Sequence, residues 1–338
     1  MPACTRSFFI AIPLGFLMAL GVFMGLVYRQ LGAPTNYSYW CSEVYRRKHE
    51  IADRTPSPKL VLLGGSSSFF GIKAANLERE LSIPTLNAGT HAGLGIAYIL
   101  ERGKQFLQPG DTVLLVPEFE LLFAGETNRQ IWASSMYVDY VLARDPAYYR
   151  ALPLLAQLEI AFMTSFKRLN QGLASRKNPE HPNPIEGFSA YDPSLVDSHG
   201  DMTGHLAQRR PDSCPVRDQG ICTPLIYGLP QDSPGFPLLA PFCHWAAQNH
   251  IRVLATFPNA AHQPGYDAPA AFAFEKQMSD LYSSLGVPVI GRLHDALLPP
   301  SDFFDSNYHL TDEASVRRTS RLAQQLKPWF APPPPSKP

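Results

Sequence analysis

The sequence predicts an α/β domain with a mostly parallel central sheet covered by helices on both faces, a three-layer α/β/α arrangement, preceded by one N-terminal transmembrane helix. Three observations carry this. Short apolar runs ended by glycine or turn residues alternate with segments of helical period, once before and once after a long central insertion. That alternation implies parallel strands buried between helices. No charged residue occurs from Ser7 to Tyr28, a stretch long enough to cross a bilayer, for which about 20 apolar residues suffice. And 45% of the 338 residues are hydrophobic, which supports a sizeable core. Lys plus Arg and Asp plus Glu each number 29, so the chain lacks the overall basic field that nucleic-acid binding calls for.

The N-terminal segment SFFIAIPLGFLMALGVFMGLVY is longer than the roughly 7–15-residue apolar core of a cleavable signal, and so reads as a retained anchor. A small-residue site near Gly32-Ala33 keeps a cleaved signal as the alternative. Basic residues stand on both sides, with Arg6 before it and Arg29, Arg46, Arg47 and Lys48 after it, so they do not fix the orientation. Residues 1–29 form a stub and anchor, 30–57 a linker with helical signals around 42–51, 58–330 the α/β domain, and 331–338 a proline-rich tail.

Within the domain, 59–65 reads as a buried strand ended by two glycines, 74–82 as a helix, 83–89 as a short strand and turn, 95–106 as a helix, and 109–119 as a turn and strand. The pattern resumes with a helix at 237–249, a strand at 251–258, a helix at 268–285, a strand at 287–291 and an amphipathic helix at 311–326. The insertion, about 121–235, is helical over 129–173 and proline-rich over 174–235. Its segment 151–166 is unusually apolar, which fits core packing, a membrane surface or a partner. Cys214 and Cys222 close a short loop and form a candidate disulfide if the compartment is oxidising. No CxxC or His-rich spacing points to a metal, and no residue pattern asks for a cofactor.

The chemistry concentrates where strands end. The run VLLGGSSSFFG puts Ser66 at the carboxyl edge of the first strand, with Ser67 and Ser68 leading into a helix where they cap or pack. A serine there is exposed to the crevice and near helix N–H groups, but needs a base. DFFDSNYHLTDEA offers one: His309, with Asp305 four residues before it and Thr311 as N-cap of the last helix. Asp302 and Asp312 compete with Asp305 for the orienting role. NAGTHAGLG places the Gly89 N–H, with that of Ser66, as candidate oxyanion donors. Asn87, Glu118 and Asn259 end strands at the same edge and are candidate pocket residues; Glu120 is near them. His91 and His262 read as ordinary polar residues. The phosphate-loop lysine and the G-x-G-x-x-G spacing are both missing, which argues against nucleotide binding.

A serine early, an Asp–His pair late and an Asn/Gly block between them resemble the SGNH (GDSL-like) hydrolase superfamily. Closer still, the chain is similar to the membrane-anchored SGNH-like proteins that work in O-acylation of extracytoplasmic polysaccharides alongside membrane-bound O-acyltransferases. The resemblance covers 59–120 and 250–327. Gly64-Gly65-Ser66 stands at the Gly-Asp-Ser block, Asn87-Ala88-Gly89 at the glycine block, and Asp305 and His309 at the terminal block. It implies Ser66 as nucleophile, His309 as base, Asp305 as orienter, and Ser66 and Gly89 N–H as oxyanion hole. Val116-Pro117-Glu118-Phe119 replaces the Gly-x-Asn-Asp block, Gly65 replaces an aspartate, and the Asp305–His309 spacing is one residue longer than Asp-x-x-His. These departures fit acyl transfer better than free-standing lipolysis. The resemblance also implies a single-pass inner-membrane protein with residues 30–338 in the periplasm or outside the cell. A polysaccharide would be its substrate and a membrane acyltransferase or exopolysaccharide complex its partner. The rival expectation is a non-catalytic scaffold or glycan-binding subunit of such a complex.

Overall fold

The computed structural model describes residues 3–123, 135–177, 192–204 and 235–331. The chain forms two compact units, Met1–Ser42 with Ala133–Glu186, and Glu43–Trp132 with Gly187–Pro338. Cys214, Cys222 and most of the proline-rich segment lie outside the described residues.

In chain order, α1 (Ala3–Arg29) and α2 (Asn36–Ala52) come first. β1 (Leu60–Gly64), α3 (Ser66–Gly71), α4 (Ala74–Leu81), β2 (Thr85–Asn87), α5 (Ile96–Gly103), β3 (Thr112–Val116) and α6 (Phe119–Phe123) follow. Four short helices succeed them: α7 (Ser135–Arg144), α8 (Pro146–Ala151), α9 (Leu154–Phe162) and α10 (Phe166–Lys177). Prolines explain two of these breaks. Pro146 and Pro153 cannot continue a helix but start one well, and Asp145 caps α8 by accepting from the Tyr148 N–H at 3.1 Å. The chain closes with α11 (Phe236–Gln248), β4 (Arg252–Thr256), β5 (Ala260–Ala261), α12 (Pro269–Ser284), β6 (Val289–Ile290), β7 (Leu297–Leu298) and α13 (Asp312–Phe330).

Five strands pair in parallel in the order β2-β1-β3-β4-β6, so the fold is α/β with a parallel central sheet. From β1 the chain steps to one side for β2, then returns to the other side for β3. β1 and β3 are therefore the pair where the winding reverses, and sheets of this kind bind ligands outside the carboxyl ends of such strands. Leu60, Leu62, Leu114 and Val116 pack with Leu77 of α4 and Leu322 and Leu326 of α13. Leu63, one position on, packs against Gly103 of α5, where any side chain would collide with it. Every residue of β1 and β3 is buried, as continuous apolar runs require.

The expected strands and helices of this unit form within a few residues of their predicted ends. β5 and β7, which pair with each other, were not expected, because two-residue ladders leave no periodic signature. In the other unit, α1 contains an apolar stretch, Phe9–Arg29, long enough to cross a membrane.

Candidate functional site

All the predicted site residues with described positions belong to the sheet unit. β1 ends at Gly64, Gly65 turns the chain, and Ser66 opens α3. The three serines have different fates. Ser67 and Ser68 are fully buried; Ser68 Oγ donates to the Gly65 carbonyl at 2.9 Å, and Ser67 Oγ has no hydrogen-bond partner among the described residues. Ser66 alone retains solvent exposure.

Glu118, just past β3, reaches across the winding reversal to the start of α3. Its carboxylate accepts from the Gly65 N–H (3.1 Å) and the Ser67 N–H (2.7 Å), two of the amides that a helix start leaves without intrahelical acceptors. The attraction of a helix N-terminus for anions favours this. Burial nevertheless dominates and pushes the Glu118 carboxyl up to about 7. Gly65 cannot carry a side chain here, since a Cβ would stand 2.5 Å from Glu118 Oε2 and 2.8 Å from the Ala92 Cα. Glu118, expected as a pocket residue, is buried and clamps the turn that carries Ser66.

Asn87 ends β2 and is fully buried. Its Nδ2 donates to the Ser68 and Ile72 carbonyls and to Asp201 Oδ1, each at 3.0 Å, and its Oδ1 accepts from the Gly89 N–H at 3.0 Å. Two expectations are corrected by this. Asn87 ties the C-terminal part of α3 to the Gly89 turn rather than facing a pocket, and the Gly89 N–H is engaged rather than aimed at an oxyanion. Asp201 also accepts from Ala74 N (2.9 Å) and Ala75 N (3.2 Å), and burial pushes it up to about 6. Below this network lies Lys48, fully buried, donating to the Gly89 carbonyl with its ammonium 3.8 Å from the centre of the Phe69 ring. Burial drives its pKa well below the ordinary lysine value.

The histidine comes from the turn before α13. His309 Nδ1 and Asp305 Oδ1 are 2.7 Å apart, both groups largely but not fully buried. Ser306 Oγ accepts from the His309 N–H at 3.2 Å, the Phe304 N–H donates to the His309 carbonyl at 2.8 Å, and Phe303 bridges Leu310. Of the three aspartates in contention, Asp305 holds the ring. Asp312 pairs with Lys73 at 2.7 Å. Asp302 accepts from Arg317 at 2.8 Å and lines a cavity of about 320 Å³ that neither Ser66 nor His309 lines. Thr311 caps α13 as predicted, its hydroxyl accepting from Ala314 N at 3.4 Å. Asn259 is corrected too: it is fully buried, donates to the Tyr308 carbonyl at 2.5 Å and so anchors the turn instead of meeting a ligand. Tyr308 Oη donates to Glu120 at 2.6 Å, a second tie.

The two halves meet through Phe70, whose ring stacks on His309 with centroids 4.5 Å apart. Ser66 and Phe70 are four apart on α3 and share a face, so His309 lies against the face that carries Ser66. Nδ1 is turned to Asp305, which puts Nε2 on the far side of the ring from that carboxylate. His91, which carries no motif of its own, is pushed down to about 4 by burial first and then by the nearby His309. Its Nδ1 accepts from the Gly93 N–H at 2.9 Å, so it is neutral. Among the described residues no group of three or more His, Cys, Asp or Glu is placed to hold a metal ion. No protein-family model matches the chain, and comparison with curated proteins finds no relative.

Proposed function

We propose that the protein is a membrane-anchored, extracytoplasmic O-acyltransferase or esterase acting on acyl esters of a polysaccharide, acetyl esters foremost, with an SGNH-like three-layer domain. The observation that carries it is the Asp305–His309 pair set against the α3 face that bears Ser66, at the carboxyl ends of β1 and β3. Helices α4 and α13 against one set of β1 side chains, and α5 against the alternate set, support the layering. The apolar stretch of α1 supports the anchor. In the reaction, His309 Nε2 takes the proton of Ser66 Oγ as the oxygen attacks the acyl carbonyl. Asp305 holds the ring and stabilises its charge. His309 gives that proton to the leaving alcohol as the acyl-serine forms; the acyl group then passes to a sugar hydroxyl or to water, whose proton His309 takes and returns to Ser66 Oγ. The Ser66 N–H, at the first position of α3, is the oxyanion donor. A membrane-bound O-acyltransferase is the partner that would supply the acyl group.

A second reading is favoured by a specific observation. The Glu118 carboxylate occupies the amides beside Ser66, and the Gly89 N–H is engaged, so the oxyanion site is sparse. A non-catalytic scaffold or glycan-binding subunit would tolerate this. A fluorophosphonate probe on the detergent-solubilised full chain separates the two. Labelling of wild type, absent in Ser66→Ala, supports the enzyme. Equal labelling of both overturns Ser66 as nucleophile. No labelling and no aryl-acetate turnover by folded wild type selects the scaffold.

A further inference from the structure

We propose that the α9–α10 hairpin is a second membrane contact: its tip, Phe162–Phe166, inserts among lipid chains beside the N-terminal span. This rests on Phe9–Arg29 being a retained span. Five large apolar side chains are bare here: Leu154 (69% exposed), Leu155 (70%), Phe162 (61%), Met163 (44%) and Phe166 (85%). A soluble surface seldom clusters so many. At about 100° per residue, Leu154, Leu155, Leu158 and Phe162 fall within an arc of about 100° on α9. Gln157, Ile160 and Ala161 face inward, and Glu159 sits at the flank of the apolar stripe, where a charged head can reach the headgroups.

The depth follows from α1. Tyr28 Oη donates to Gln157 Oε1 at 2.6 Å, and the Phe162 ring stacks on Phe23 at 5.6 Å. Five residues separate each pair of contacts (28 − 23 and 162 − 157), so α9 runs antiparallel to the end of α1. Phe23 precedes Arg29 by six residues, which at 1.5 Å per residue puts Phe162 roughly 9 Å below the end of the span. That is the depth, about 5–10 Å, at which interfacial helices bury their apolar faces. The backbone of the tip is suited to a medium without water. Met163 N donates to Glu159 O, Thr164 N to Ala161 O, Thr164 Oγ1 to Ile160 O and Leu169 N to Ser165 O, while Arg168 N donates to Ser165 Oγ. The chain then climbs back: Arg168 donates to Gln30 Oε1 at 2.9 Å, beyond the end of the span. Tyr28, partly exposed and edge to face on the buried Tyr149 at 5.8 Å, stands at the exit level where aromatic residues anchor in interfaces. A lipid surface fits this face because it is continuous with the lipid-facing side of α1. Two membrane contacts would also restrain the swivelling that a single span allows.

The test places a photoreactive benzoylphenylalanine at Phe162, Phe166 or, as reference, Met18 in the full chain, reconstituted in phosphatidylethanolamine–phosphatidylglycerol vesicles. After irradiation, Phe162 and Phe166 variants should gain the mass of one phospholipid in at least half the yield seen at Met18. Lipid adducts at Met18 with none at Phe162 and Phe166 overturn the hairpin insertion while leaving the span intact. No adduct at Met18 removes the span, and the proposal with it. The same variants irradiated in native membranes should again give lipid adducts; a protein adduct in their place would make the face a protein interface and overturn the proposal.

Discussion

The two ends of the candidate site are held by different physics. At the serine end, Glu118, Asn87, Asp201 and Lys48 are almost wholly buried, and backbone amides and carbonyls satisfy much of their polarity. At the histidine end, a partly exposed ring rests on Phe70 and one carboxylate, in a turn pinned by Ser306 and Asn259. Buried polar groups cost much when a partner is lost, whereas partly solvated ones cost little. Substitutions at the serine end should therefore act on the fold before they act on chemistry. Substitutions at the histidine end should do the reverse. Rigidity at the serine end and compliance at the histidine end suit the proposed enzyme, whose base would shuttle a proton between two alcohols.

The largest effect expected is on chemistry. Asp305→Asn keeps the shape but lets Nδ1 adopt the wrong tautomer, and turnover of an aryl acetate should fall about 10⁴-fold. Its urea midpoint should stay close to wild type. A large loss of stability with the loss of activity would erase the contrast between the ends. Asn87→Ala is the mirror test. It leaves the Ile72 carbonyl and the Gly89 N–H without this partner, each worth about 1–3 kcal/mol when buried, and takes one of two donors from the Ser68 carbonyl, which keeps the Ile72 N–H. We expect a loss of about 3–5 kcal/mol in urea unfolding. Activity per folded molecule should survive in part. A loss under about 1 kcal/mol would mean that the network does not fix α3.

The same contrast explains what could be read in advance. Strands such as Leu60–Gly64 and Thr112–Val116 announce themselves, because complete burial demands uninterrupted apolar residues. The Asp305–His309 pair was legible because four residues of sequence and one turn bring them together. The serine end was harder. Glu118 lies 53 residues from Gly65, and only the parallel register of Gly64 with Val116 brings it across. Asn87 and Asn259 were recognised as special, but their sequence neighbours do not reveal whether an amide faces a ligand or orphaned backbone carbonyls. His91 carried no signal, since its nearness to His309 depends on tertiary packing. The helical stretch expected over 129–173 is broken at Pro146 and Pro153; the apolar surface of α9 was visible in the residues, but its use was not.

Glu118 offers the smallest effect and the most specific one. Its folded pKa, about 7, lies above the 4.5 of an unperturbed glutamate, so the folded state holds its proton more tightly than the unfolded state does. Below pH 4.5 both states are protonated and nothing is lost; as pH rises towards 7 the folded protein loses stability, then levels off. The difference amounts to about 3 kcal/mol. Asp201 adds a separate decline between its unperturbed 3.8 and about 6. Glu118→Gln removes the first decline and keeps the second. The variant should therefore match wild type near pH 4.5 apart from a constant offset, and gain on it by up to about 3 kcal/mol at pH 8, read from urea midpoints across the range. Activity adds an independent reading. An ionised Glu118 opposes negative charge on the acyl oxygen beside Ser66, so wild-type turnover should decline as pH rises above about 7, and the decline should vanish in Glu118→Gln. Parallel stability curves for the two proteins would show that the carboxyl is already ionised at little cost. The serine end would then be less constrained by burial than its geometry implies, and the contrast between the two ends would narrow to the Asn87 network alone.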